Sequence, residues 1–580
     1  MGVAGYGAAP ALGALVGRDL CDARGRRGTT LRSALDQLRR AARGPMVHSI
    51  QLVVALLAVV AVVAYAARTL QIPAAILLVV AGVILAFIPG LPEIRLAPEL
   101  VLLVVLPPFI YSSSVAMSWR EFKFNLRPIA LLAVGCVLFT AAAAAAAMHW
   151  LLAFPWPVAF VLGAIVSPPD AVAPLSIARR MQLPRRLVVV LEGEGLANDA
   201  TALILYRFAV AAVAFGVFSA SAAAETFAAI VVGEILWGIA VGWLMLRLRR
   251  FVDDPRIEIT LSLLTPYIAY WPPEWLGGSG VLATVVTGLY ISWNGLRLIS
   301  AATRLQGIFF WDLLIYLLEG LVFLLTGLQA HELAESLRSY STRDLALSAV
   351  VVCAVIIAAR FVWMFPATYA PRWLSTSLAR RDPSPPWQYP FLLAFTGVRG
   401  IVSLAAALAI PLNVADGGPF PERDLILFLT FIVILVTLVG QGLLLPAVIR
   451  WLGLANAGQQ EHAADRLQEF IARRRAVEAS LARLDEIEKD ERLEVDLLDR
   501  LRAQHRERLR RVDHRGQADG EHRTAQELHD QIEFSLIEAE RRHVNELYRR
   551  GELKDEARRR IEREIDLREA QLVSWRGEER

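Results

Sequence analysis

Long apolar runs separated by short polar segments fill residues 46–452, and charged residues dominate from about residue 460 onward. Runs such as 51–64 and 128–147 contain no charged residue, and about 20 apolar residues suffice to cross a bilayer. Hydropathy and boundary signals predict about thirteen transmembrane helices. They lie near residues 47–67, 71–89, 97–117, 127–151, 155–178, 186–215, 223–248, 257–273, 277–294, 307–329, 343–366, 389–413 and 424–451. The pattern therefore predicts an all-α polytopic membrane protein.

The distribution of basic residues predicts the orientation of these helices. Clusters such as Arg120 with Lys123, Arg179 with Arg180, and Arg380 follow odd-numbered spans, whereas the alternate loops carry almost no basic residues. Because basic loops stay on the cytoplasmic side, the odd-numbered spans are expected to end there. We therefore expect a multi-pass plasma-membrane protein with its amino terminus outside and its carboxyl-terminal tail in the cytoplasm.

The two ends of the chain differ from the apolar region. Residues 1–45 hold eight arginines and three aspartates and lack the pattern of a signal peptide. We interpret them as a non-native or disordered extension, with Met46 as the start of the protein. Residues 453–580 are rich in Arg, Glu, Leu and Ala, which favours helix, and Gly516 and Gly520 divide them into at least two helices. They are predicted to form a cytosolic helical domain.

Composition narrows the possible functions. The chain is 56% hydrophobic with a mean hydropathy of +0.46 and a net charge of +4. The tail mixes both signs of charge, so we expect no nucleic-acid partner. The three cysteines are far apart, which indicates neither a disulfide framework nor a metal site.

The first candidate site is an interrupted helix at residues 163–174. Three prolines within seven residues, starting at Pro168, cannot lie in a regular helix. A break inside a membrane exposes backbone carbonyls that suit ion coordination. Asp170 lies at this break, beside Ser167 and Pro169. A kinked helix whose carboxylate is paired with a neighbour is the structural alternative.

The next predicted helix carries three carboxylates and an amide within eight residues, from Glu192 to Asp199. At 1.5 Å per residue, Asp199 lies about 20 Å from the cytoplasmic end of its helix and Asp170 about 14 Å from the end of its own. Both would lie near the middle of a hydrocarbon core about 30 Å thick. Glu194 and Asn198 share a different helix face from Asp199. We therefore expect Asp199 to face the ion path and Glu194 to face a structural partner.

Two arginines within apolar runs need partners or a route to water. Glu194 is the candidate partner for Arg360, and snorkelling towards the cytoplasmic end is the alternative. Arg399 lies between Gly397 and Gly400, where unwound backbone is allowed. A cation there would offset carbonyl dipoles, although an ordinary helix remains possible. One interrupted helix in each half of the chain predicts an inverted-repeat transporter with a site at the midplane.

Several segments resemble the signature segments of a known family in order along residues 46–450. They are Ser167-Pro-Pro-Asp170, Glu192-Gly-Glu194 through Asn198-Asp-Ala-Thr201, Gly397-Val-Arg-Gly400, Leu106-Pro-Pro-Phe-Ile-Tyr111, and Phe310-Trp-Asp-Leu-Leu314 through Gly327. Together they resemble bacterial sodium/proton antiporters of the monovalent cation/proton antiporter-1 (sodium/hydrogen exchanger) family. On this resemblance, residues 46–452 form the exchanger domain.

The resemblance implies thirteen helices, two of them broken and crossing, and a homodimer in which a core domain moves against a dimerisation domain. It implies that Asp170 and Asp199 handle the ion, that Asn198 supports them, and that Glu194 pairs with Arg360. Three residues depart from the family pattern, which usually has Thr at Pro169, often Ser at Gly195, and commonly Asn at Glu319. Pro169 then offers only its carbonyl, and Glu319 is an additional carboxylate, either a proton site or a structural group.

The predicted function is sodium/proton exchange by alternating access, in which the cation and protons compete for Asp199 and Asp170. Oxygen ligands suit sodium, potassium or lithium, and no nucleotide or redox cofactor is expected. The family's Asn-Asp form, present here as Asn198-Asp199, implies electroneutral exchange. Potassium/proton antiport with the same fold is the alternative. An intramembrane aspartyl protease, which also uses two aspartates, is a remote one, because the expected Gly-x-Gly-Asp segment is absent.

Overall fold

The structure is a computed structural model of the full chain. It describes residues 45–89, 94, 96–216, 220–252, 254–295, 299–337, 340–414, 417–490, 495–516, 520–550, 552–553 and 555–577. The prediction of a non-native extension therefore falls almost wholly outside the described residues. The chain divides into one unit ending at Gly458 and a second beginning at Gln459.

Helices make up nearly all of the first unit, and within its described ranges the only β-type pairing is an isolated bridge between Asn413 and Pro419. The α-helices up to the first break are α1 (Pro45–Leu70), α2 (Ala74–Ala86), α3 (Leu106–Ala116), α4 (Trp119–Phe124), α5 (Leu126–Ala130), α6 (Val137–Leu152) and α7 (Trp156–Val166). Those between the two breaks are α8 (Val172–Arg180), α9 (Arg185–Phe215), α10 (Ala220–Arg249), α11 (Pro255–Trp275), α12 (Val281–Asn294), α13 (Ala301–Leu328), α14 (Ala330–Ser336), α15 (Thr342–Leu374), α16 (Thr376–Arg381) and α17 (Gln388–Phe395). After the second break come α18 (Ile401–Leu408), α19 (Arg423–Leu435) and α20 (Gly442–Trp451).

Two π-helical segments, Leu131–Cys136 and Val436–Gln441, join helices into longer rods, and a third, Leu100–Val105, extends the start of α3. Among the described residues, seven rods are long and apolar enough to cross a membrane, and α2, α7, α12 and Leu100–Ala116 are shorter apolar helices. Large apolar side chains are exposed along these rods, for example Val62 at 69% and Val350 at 66%. Such surfaces belong against lipid or another apolar partner. The chain is thus an all-α polytopic membrane protein.

Both predicted breaks are present. The helical pattern stops after α7 and resumes at α8, and it stops after α17 and resumes at α18. Each pair of short helices therefore replaces one continuous transmembrane helix, as the prolines near residue 168 and the glycines flanking Arg399 predict. Together the two breaks place four helix ends inside the apolar unit, where their backbone groups need hydrogen-bond partners.

Small residues let helices approach closely around these breaks. Gly82 of α2 packs on Gly327 of α13, and a Cβ at either position would lie 2.3 Å or less from a backbone oxygen of the other helix. Gly163 of α7 packs against the backbone of Ala141 on α6 in the same way. These contacts fix the position of α13, which carries Glu319, and of α7, which leads into Asp170.

The second unit contains the rest of the helical tail. The remaining helices are α21 (Leu454–Asp490), α22 (Val495–Gly516), α23 (Gly520–Arg549) and α24 (Asp555–Gly577). Ile537, Val544 and Ile565 form a small buried cluster between α23 and α24. Many of the other described side chains there are exposed and charged, as in a solvated helical domain.

Candidate ion-binding site

The two helix breaks touch each other through their backbones. The amide of Asp170 donates a hydrogen bond to the carbonyl oxygen of Val398 at 2.6 Å. The two breaks lie far apart in the sequence, yet they meet at one point inside the first unit. Broken helices that cross in this way present carbonyl oxygens and helix ends to a shared space.

The carboxylate of Asp170 is held against the second break. Its Oδ1 accepts a hydrogen bond from the amide of Val172 at 2.8 Å, which caps the start of α8. Its Oδ2 lies over Gly400, where an added Cβ would come within 1.7 Å of that oxygen. Glycine is therefore required at position 400 for Asp170 to occupy this position.

Helix α9 brings Asn198 and Asp199 to the same place. The Asn198 side chain donates from Nδ2 to the carbonyl oxygen of Pro169 at 2.5 Å. Its Oδ1 is buried and has no hydrogen-bond partner within the described part of the chain. Asp199 is partly exposed and lies close enough to Asp170 for a Coulomb interaction. The site thus gathers two carboxylates and an amide oxygen that no described group satisfies.

Arg399 occupies the space between the broken helix ends. Its Nε donates to the carbonyl of Val166, the last residue of α7, at 2.9 Å, and its Nη1 donates to the carbonyl of Gly397. The side chain is 1% exposed. These carbonyls lie at ends of interrupted helices, where partial negative charge accumulates, so the guanidinium offsets both helix ends.

Glu194 and Arg360 form a buried ion pair next to this site, on the helix that carries Asn198 and on α15. The guanidinium of Arg360 donates from Nη1 and Nη2 to the two oxygens of Glu194 at 2.6 and 2.9 Å, and its Nε donates to the carbonyl of Leu393 at 3.0 Å. The three contacts tie α15 to α9 and to α17, the helix that leads into the second break.

Ser167 and Gly195 differ in what they offer the site. The hydroxyl of Ser167 is buried and donates to the carbonyl of Ala164 at 3.0 Å, so its oxygen keeps capacity to accept or to coordinate. Gly195 packs on Ala171, and a Cβ at position 195 would lie 2.7 Å from the Cβ of Ala171. A serine there would need a shift of the first break, which gives a physical reason for glycine in this chain.

Glu319 approaches the site from α13. Its side chain is partly exposed, and it interacts electrostatically with Asp170. A third carboxylate therefore contributes to the field at the two aspartates. Glu192, by contrast, lies near the amino-terminal start of α9 and forms a salt bridge with Arg179 at 2.6 Å.

Two polar residues near these helices escaped the sequence analysis. The hydroxyl of Thr437 accepts a hydrogen bond from the amide of Arg399 at 2.9 Å, and so supports the second break. The buried carboxylate of Glu234 accepts bonds from the amides of Ser279 and Gly280 at 2.6 and 3.1 Å, where α12 begins. Each is a single polar residue in a long apolar run, which is the only sign of its role in the sequence. The backbone amides that they bind lie tens of residues away.

The chain is similar to known cation/proton exchangers. The family model described as sodium/hydrogen exchanger, transmembrane, matches residues 54–451. A Na+/H+ exchanger of Mycobacterium tuberculosis, itself uncharacterized, is 33% identical over 91% of this chain and 97% of its own length. A sodium, potassium, lithium and rubidium/H+ antiporter of Bacillus subtilis is 34% identical over 65% of this chain and 57% of its own length.

The fold is also similar to that of a solved antiporter. The structure of the sodium proton antiporter MjNhaP1 from Methanocaldococcus jannaschii aligns with a TM-score of 0.57 and 20% sequence identity, covering 71% of this chain and 99% of that one. Family and structural neighbours are transporters of cations and protons. This chain belongs to the sodium/hydrogen exchanger family and is a transporter rather than an enzyme.

Proposed function

We propose that the chain exchanges sodium ions for protons across the plasma membrane, with both competing for Asp199 and Asp170. The unsatisfied amide oxygen of Asn198 is the observation that carries this proposal. Buried polar atoms without partners are rare in native proteins, and one beside two carboxylates suits a desolvated cation. The oxygen of Ser167 and a free lone pair of the Pro169 carbonyl supply further ligands of the hard type that sodium prefers.

Competition follows from charge. Two ionised carboxylates in a low-dielectric space repel each other and are costly to keep without counter-charge. Either a cation or protons remove that cost, so an occupied site is the form that crosses between the two faces. A site that holds neither a cation nor protons does not cross between the two faces. Transport of one ion therefore requires transport of the other in the opposite direction.

Arg360 and Arg399 act as fixed structural cations in this scheme. Arg360 is neutralised by Glu194, and Arg399 is directed at carbonyls of the broken helix ends. Neither guanidinium donates to Asp170 or Asp199 among the described contacts. The two aspartates therefore remain the groups that take up the transported ion and the proton.

We base the finer details of transport on what the family resemblance implies. One-for-one, electroneutral exchange is proposed on the Asn198-Asp199 form, and alternating access is proposed as movement of a core domain against a dimerisation domain in a homodimer. The amino terminus lies outside and the tail in the cytoplasm. Potassium/proton exchange is the second candidate, because the similar Bacillus subtilis antiporter is named for sodium, potassium, lithium and rubidium.

Everted vesicles test the proposal. A pH-sensitive dye reports proton movement after addition of sodium, lithium or potassium chloride, with empty-vector vesicles as the baseline. Sodium and lithium should recover fluorescence at lower concentrations than potassium. A response to potassium alone would assign the second candidate, and the absence of any response from inserted protein would reject exchange. Insensitivity of the initial rate to an imposed membrane potential tests the electroneutral stoichiometry.

A further inference from the structure

Three arginines surround one aspartate at the membrane face predicted to be cytoplasmic. Asp382 follows α16, and it accepts salt bridges from Arg127 of α5 at 2.6 Å, from Arg186 of α9 at 2.8 Å and from Arg372 of α15 at 2.8 Å. These helices are distant in sequence, and their ends converge on this single carboxylate. No part of the exchange mechanism uses the cluster.

The cluster has more positive than negative charge. Three guanidiniums face one carboxylate, which leaves two positive charges without a partner of opposite sign in the group. Burial would raise the pKa of Asp382, but the close contact and charge of Arg186, with the charges of Arg372 and Arg127, hold that pKa below its usual value. Asp382 is therefore ionised at neutral pH, and the cluster of three arginines and one aspartate carries two excess positive charges.

One donor and one acceptor in the cluster make no hydrogen bond among the described residues, and the acceptor, Asp382 Oδ1, lies 2.8 Å from Arg186 Nη1 as an ion pair. Arg127 Nη1 is buried and has no hydrogen-bond acceptor among the described residues, while its Nη2 bonds Asp382. Arg372 is fully engaged, because its Nε bonds the Asp382 carbonyl at 3.0 Å and its Nη1 bonds the carbonyl of Thr368. Arg127 and Arg186 are the partly exposed members, with 28% and 32% of their side chains accessible. These two can receive an anion from outside.

The arginines line the mouth of an apolar cavity. The cavity has a volume of about 50 Å³ and lies between α5, α9, α15 and α17. Apolar side chains form its inner walls, namely Leu131, Leu132, Leu187, Val190, Met364 and Leu393. A ligand that fits this lining has an anionic head and an apolar body.

Exposed aromatic residues fix the level of the cavity in a membrane. Trp373, next to Arg372, is 86% exposed, and Trp387, which follows Asp382 closely, is 48% exposed. Exposed tryptophans of a membrane protein concentrate at the headgroup level. The cluster therefore lies where lipid phosphates are, and basic pockets between transmembrane helices on the cytoplasmic side bind anionic headgroups.

From these observations we infer a binding site for an anionic phospholipid at the cytoplasmic ends of α5, α9, α15 and α17. Arg127 and Arg186 bind the lipid phosphate through charge-assisted hydrogen bonds. Arg372 anchors Asp382, and Asp382 competes with the lipid phosphate for the other two arginines. The first methylene groups of an acyl chain lie against the apolar walls, beside the helices that carry Asp199 and Arg360. Lipid occupancy thereby braces the two helices that support the ion site.

The test uses the full-length protein in neutral detergent, with thermal unfolding followed by loss of the folded peak in size-exclusion chromatography. Phosphatidylglycerol or cardiolipin should raise the unfolding temperature of the wild type by several degrees more than phosphatidylcholine does. The R127Q/R186Q variant should lose that increment. The matched control R380Q/R381Q removes two exposed arginines from the same face, and it should keep the increment.

Three results would overturn the site: an unchanged increment in R127Q/R186Q, an equal loss in R380Q/R381Q, or equal stabilisation of the wild type by glycerol 3-phosphate, which carries the phosphate without chains. Because R127Q/R186Q also disturbs Asp382, D382N provides an independent measurement. This variant removes the internal competitor, so it should retain more copurified anionic lipid in native mass spectrometry than the wild type. Equal or lower retention would show a purely structural ion-pair cluster instead.

Discussion

Arg360 binds both carboxylate oxygens of Glu194, at 2.6 and 2.9 Å, with both side chains 2% exposed. The pair lies within an apolar unit, about one helical turn along α9 from Asn198. Because both charges are desolvated, the pair is worth little relative to apolar residues, whereas breaking it leaves a buried charge alone. Its value here is positional, since it joins α9 and α15 beneath the ion site.

Single removal of either partner should therefore be costly. We expect Glu194→Gln or Arg360→Gln to lower the free energy of unfolding by about 3–5 kcal/mol, seen as a loss of folded protein after heating in detergent. The double variant should recover part of that loss, because no charge is left unpaired. Strictly additive losses in this double-mutant cycle would rule out the coupling.

Replacing Asp199 by Asn should abolish exchange without unfolding the protein. The substitution keeps the size of the side chain and removes the charge and the proton acceptor, so sodium-dependent dequenching should fall to the empty-vesicle baseline. Asp170→Asn should behave likewise, with residual activity if its role is secondary. Asp344→Asn, which alters an exposed carboxylate in the first turn of α15, is the control and should leave sodium-dependent dequenching unchanged. Wild-type rates in Asp199→Asn would refute the mechanism.

The contrast between local and distant features explains what the sequence could predict. Prolines near Asp170 and glycines around Arg399 disrupt helices locally, so both breaks were predictable from their own residues. The Glu194–Arg360 contact was suggested because each charge was conspicuous in an apolar run. Thr437 and Glu234 were missed, since threonine is common in such runs and the amides they bind lie 38 and 45 residues away. In the sequence, Arg127, Arg186 and Arg372 are basic residues between predicted spans and indicate only orientation.

Gly400 should tolerate no side chain. A Cβ would come within 1.7 Å of Asp170 Oδ2, so Gly400→Ala must displace either the carboxylate or the break. Overpacking of this kind costs about 1–3 kcal/mol, and we expect exchange to fall by at least tenfold even where folded protein is recovered. Gly440→Ala is the matched control, because nothing lies within 4 Å of a Cβ at that position. Equal activity of the two variants would contradict the proposed packing.

Glu319 should increase the affinity for the cation without being essential. Its charge interacts with Asp170, and loss of roughly 1 kcal/mol of attraction corresponds to about a fivefold weaker affinity. Glu319→Gln should therefore raise the KM for sodium about fivefold and leave the maximal rate largely unchanged. Asp312→Asn, an exposed carboxylate on the same helix, should leave KM unaltered. Complete inactivity of Glu319→Gln would instead make Glu319 an obligatory proton site.

Removing the tail should leave transport in place. Every residue proposed to handle the ion precedes position 451, and the boundary between the two units falls between Gly458 and Gln459. The tail carries several histidines, among them His505 and His543, and histidine changes charge near neutral pH. Truncation after Gly458 should therefore preserve sodium/proton exchange and at most shift its pH profile, measured in everted vesicles between pH 6 and 9. The comparison requires equal insertion of the two proteins, checked by membrane fractionation. Complete loss of exchange in a truncated protein that is still inserted and folded would mean that the tail takes part in transport itself.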